Sequence, residues 1–115
     1  MNKNEISAVI SDHIKSHPGT SYAELENVFN DNGFDFRGDK EACSEVNENV
    51  IFWSGWSEEA FEIIAGLIKS GKIERIPCQL YIYLIDGKAL TLPILKGDPN
   101  RIKRPHWLPC VFNAC

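Results

Sequence analysis

His13 and His17 stand four residues apart, one helical turn, which is the spacing that can bring two imidazoles to one metal ion. The chemistry this would support is zinc-assisted hydrolysis. The second position of the H-E-x-x-H pattern, however, is Ile14 rather than a glutamate base, and spacing places no further ligand. The expectation is packing, with one histidine at a core edge and the other closing a helix. Cys43, Cys78, Cys110 and Cys115 lie 35, 32 and 5 residues apart without a C-x-x-C pair. They are expected to be reduced thiols acting as small apolar residues, not zinc ligands. Gly33, Gly38, Gly55, Gly71, Gly87 and Gly97 fall where turns or helix stops explain them, so no phosphate-cradling loop is read, and no G-x-S-x-G elbow occurs. The expectation is a protein without catalytic residues, metal or cofactor.

The remaining candidates act by binding. Glu58, Glu59 and Glu62 put an acidic face on one helix, and Trp53 and Trp56 just before it are aromatic residues of the kind that anchor protein interfaces when exposed and fill cores when not. The bases gather elsewhere. Residues 1–70 carry five basic and thirteen acidic residues, net −8, whereas residues 71–115 carry seven and three, net +4. An acidic body with a basic last third disfavours a surface-wide polyanion binder and leaves a local phosphate contact open. Its residues would be Lys72, Arg75, Lys88 and above all Lys96, Arg101, Lys103 and Arg104.

Several elements must position these side chains. At 100° per residue Ile6, Val9, Ile10 and Ile14 share one side of a helix over 5–17, which Pro18-Gly19 ends. Ser21 and Glu24 offer a capping box for a second helix from about residue 22, with Tyr22, Leu25, Val28 and Phe29 inward and Asn32-Gly33 as its stop. Residues 34–50 lack periodicity and are expected to form a loop with one irregular helical turn over 40–47. Val50–Trp53 reads as a short strand. Ser57 caps a third helix to about Ser70, with Trp56 placed to pack on Phe61 and with Phe61, Ile63, Ile64, Leu67 and Ile68 apolar. Alternation predicts strands over 72–76 and 79–85, a hairpin turn at Asp86-Gly87 and a returning edge strand over 89–95. The tail from Lys96 starts as loop, and its apolar end, Trp107, Leu108, Val111 and Phe112, is expected to pack back on the body.

Two stretches, His17-Pro18-Gly19-Thr20-Ser21-Tyr22-Ala23-Glu24-Leu25 and Leu67-Ile68-Lys69-Ser70-Gly71-Lys72-Ile73-Glu74-Arg75, resemble the helix-one to helix-two junction and the helix-three to wing junction of winged helix-turn-helix domains. The elements above give a single α+β domain over 1–115, three helices followed by a small antiparallel sheet, and the resemblance implies a winged-helix-like arrangement of them. The chain departs from the pattern by an insert at about 34–53 and a C-terminal extension at about 96–115. It also implies DNA binding through helix three, but Glu58, Glu59 and Glu62 would bring carboxylates toward phosphates there, and only Lys69 is basic.

The chain is therefore read as a small regulatory or adaptor protein that binds another protein through Glu58, Glu59, Glu62, Trp53 and Trp56. DNA contact through Lys96, Arg101, Lys103 and Arg104 is the alternative. With neither an apolar run of bilayer length nor a signal-like start, a cytoplasmic location without membrane contact is expected.

Overall fold

The computed structural model describes residues 1–115. Helix α1, Lys3–Ser16, starts from a reciprocal cap between Asn2 and Glu5 and buries Ile6, Ile10 and Ile14. Strand β1, Thr20–Ser21, leads directly into α2, Tyr22–Asp31, where the Ser21 hydroxyl accepts from the Glu24 amide at 3.0 Å. The Glu24 carboxylate does not turn back to complete the capping box but takes His13 Nε2 at 2.5 Å, which ties α2 to α1. After Phe36 come β2, Arg37–Cys43, and β3, Val50–Trp56, and then α3, Glu58–Lys69, capped by Ser57. Strand β4 is Ile73–Pro77, helix α4 Tyr81–Asp86, and strands β5, His106–Trp107, and β6, Cys110–Ala114, end the chain.

The strands form two sheets of three. One has the order β1-β6-β4, antiparallel throughout, with Thr20 opposite Phe112 and Arg75 opposite Phe112 on the other side. The other has the order β2-β3-β5, in which β2 and β3 are antiparallel with several register shifts and β5 runs parallel to β3. The architecture is thus mixed α+β, with four helices rather than three and a second sheet. No helix is long and apolar enough to cross a membrane.

Four expectations are corrected. Residues 37–43 are a strand, not a loop with a helical turn; nearly every side chain on it is exposed, so the strand exists through its pairing with β3 and carries no alternation. Residues 79–85 do not form a strand. Residues 81–86 wind into α4 because Tyr83 turns inward, donating its hydroxyl to the Cys110 carbonyl at 2.5 Å and accepting the Tyr22 amide at 3.1 Å. The turn expected at Asp86-Gly87 is this helix's stop, with Gly87 in the left-handed region at φ 84°. Over 89–95 there is only an isolated bridge between Ile94 and Trp107 in place of the edge strand. The apolar tail does pack back: Trp107, Val111 and Phe112 are buried, and β6 is the central strand of its sheet.

Candidate protein-binding cleft

Trp53 and Trp56 are fully buried. Both indole N–H groups donate to the same carboxylate oxygen of Glu26, at 3.0 and 2.9 Å, and Lys88 Nζ reaches the other oxygen at 2.6 Å. Glu26 is itself buried, so its charge is held by three donors, and its position between the two tryptophans fixes β3 against α2. The two tryptophans are therefore core residues and present no surface to a partner. Lys88, expected among the phosphate contacts, is engaged in this cluster instead.

The acidic residues of α3 do reach the surface. Glu58, Glu59 and Glu62 are exposed, and only Glu62 is paired, accepting from Lys3 Nζ at 2.7 Å. That bond, reinforced by the neighbouring carboxylates, raises the Lys3 ammonium above its ordinary value. Beside these acids runs a cleft of about 910 Å³ between α3 and the β2–β3 hairpin. Phe52, Phe61, Ile64 and Ile68 supply its apolar floor, and residues 41–46 of the hairpin its opposite wall. It continues along α3 into a shallower groove bordered by Lys40, Glu41, Glu58, Phe61, Glu62 and Ala65.

The hairpin wall depends on one glycine. A Cβ on Gly38 would lie 2.5 Å from Ser57 Cα and 2.7 Å from the Trp56 carbonyl oxygen, so only a residue without a side chain lets β2 lie against the start of α3. The Ser57 amide also donates to the Phe36 carbonyl at 2.7 Å, locking the same junction.

Arg75 also lines the cleft. Its guanidinium carbon lies 3.9 Å from the centre of the Phe52 ring, and Nη1 donates to the Tyr22 hydroxyl at 3.3 Å. Burial pushes the Tyr22 phenol up to about 12 against the pull of the Arg75 charge, so it stays protonated beneath the guanidinium. Neither Arg75 nor Lys69 has a carboxylate oxygen within 4.0 Å. The cleft thus carries two cations without an ion-pair partner, Arg75 and Lys69, while Glu41 and Glu45 stand on its hairpin wall.

The other candidates lie apart from it. Lys96, Arg101, Lys103 and Arg104 are exposed on the loop before β5, where Arg101 Nε is 3.6 Å from Asp98 and the other three are unpaired. His13 and His17 stack with ring centres 4.1 Å apart, His17 Nδ1 donating to the His13 carbonyl, and no third residue joins them as a metal ligand. All four cysteines are free. Of the cleft residues, Phe61, Ile64 and Ile68 read in the sequence as the apolar face of helix three, with Ala65 broadening it; the signal available was that α3 carries more apolar positions than one buried face uses. No family model, curated protein or solved structure matches the chain.

Proposed function

We propose that this protein is a non-enzymatic regulatory or adaptor module that binds another protein in the cleft between α3 and the β2–β3 hairpin. The observation that carries the reading is the cleft itself: an apolar floor of Phe52, Phe61, Ile64 and Ile68 under a charged rim is the arrangement of a protein interface, with a desolvated centre and a polar edge. Glu58, Glu59 and Glu62 steer a partner with basic residues to its open end. The test is affinity capture from the native host after nuclease treatment, with the wild type and with Glu58→Lys/Glu62→Lys side by side. A nuclease-resistant protein partner lost on charge reversal is expected; a partner retained by the reversed variant would contradict the reading.

A DNA-binding regulator is the second reading, favoured by the exposed, largely unpaired bases Lys96, Arg101, Lys103 and Arg104. The reading starts from the winged-helix likeness of residues 17–25 and 67–75. It predicts duplex binding at about 50 mM salt that weakens steeply with added salt, with a slope lowered by about 0.9 for each base replaced by Ala. An absence of duplex binding at that salt concentration removes it.

A further inference from the structure

Arg75 is the one feature of the cleft that protein docking in general does not explain. A guanidinium offers five N–H donors in a planar fork, and here the only side-chain hydrogen bond it makes is the one to Tyr22. Its guanidinium sits over the Phe52 ring, half-buried; Lys69 lines the same cleft, and neither charge has a carboxylate oxygen within 4.0 Å. A guanidinium held over Phe52 and bonded to Tyr22, with donors left over in an apolar cleft, is a site for a planar anion held by two parallel bonds.

We infer that the cleft takes the C-terminal segment of a partner chain, with the terminal carboxylate on Arg75 and the last side chain on Phe52 and Ile68. This rests on the reading of the cleft as a protein-docking site. A last residue carries carboxylate and apolar side chain together, which is what a guanidinium stacked on Phe52 beside Ile68 requires at one point. The shallower groove that continues from the cleft, bordered by Glu41, Glu58 and Glu62, sets the rest of the segment. The partner therefore carries Lys or Arg upstream of its C-terminus, facing Glu58, Glu62 and Glu41, and apolar or small residues between.

The experiment uses the full-length protein and two bead libraries of random heptapeptides, identical except that one presents free terminal carboxylates and the other terminal amides. Wild-type protein is expected to select from the free-acid library, with apolar last residues and Lys or Arg upstream. Resynthesised winners should bind about tenfold or more tightly as acids than as amides, the scale of a charge-assisted bond. Arg75→Gln should erase that difference. Ala65→Arg, which fills the groove from an exposed position, should abolish binding of both forms. Binders found equally in both libraries and lost in Ala65→Arg would overturn the carboxylate inference while leaving the docking cleft standing. No Ala65→Arg-sensitive binder in either library would overturn both.

Discussion

Glu26 shows how one buried carboxylate ties a helix to a strand. Its carboxylate satisfies two buried indoles at once, so replacing it leaves the Trp53 and Trp56 N–H groups without an acceptor inside the core. Each orphaned donor costs about 1–3 kcal/mol. Glu26→Ala is accordingly expected to lower unfolding stability by about 2–5 kcal/mol in a urea titration, and Glu26→Gln, which keeps one acceptor oxygen, by clearly less. Equal stability of Glu26→Ala and wild type would contradict the role assigned to the cluster. In the sequence Glu26 was indistinguishable from the other acids of the first half, because its burial is decided by side chains 27 and 30 positions away. The helix caps were legible for the opposite reason: Ser21 and Ser57 act on amides three residues ahead.

The same division holds for elements. The three long helices were readable because their faces bury residues at helical spacing, with Ile6, Ile10 and Ile14 the plainest case. Strand β2 was not readable, since its order comes from β3 and from the close approach at Gly38. Helix α4 was misread because Tyr81, Leu84 and Ile85 are apolar yet 57%, 63% and 75% exposed, so a short apolar run gave no face to choose by. Gly38 supports a prediction at this scale. In Gly38→Ala the methyl meets backbone atoms of Trp56 and Ser57, which cannot step aside as a flexible side chain would. Strand β2 must shift off α3, at a cost of about 1–3 kcal/mol. Amide exchange should quicken over 37–43 more than over α1. Unchanged exchange there would show that the approach is not a constraint.

Across the whole molecule, the core is closed by neutral groups that resist losing protons. Burial pushes the Cys78 thiol from 9.0 up to about 11, the Cys110 thiol from 9.0 to about 12 and the Tyr22 phenol from 10.0 to about 12, and raises Tyr83 as well. The unfolded chain gives up these protons at lower pH, so above about pH 9 the folded state holds more of them and stability falls as pH rises toward about 12. The urea midpoint should be flat with respect to these groups below about pH 8.5 and decline from there; no decline by about pH 11 would contradict their burial. The cleft is a property of this scale too. Its acids stood out in the sequence, but its floor and Arg75 come from β3, α3 and β4, which only the assembled fold brings together. The most direct measurement is site-specific photo-crosslinking in the native host, with a photoreactive side chain at Ala65 in the cleft, at Lys103 on the basic loop or at Lys15 on α1. The account predicts a discrete, nuclease-resistant protein adduct from Ala65 alone. An adduct from Lys103 to nucleic acid with none from Ala65 would contradict it.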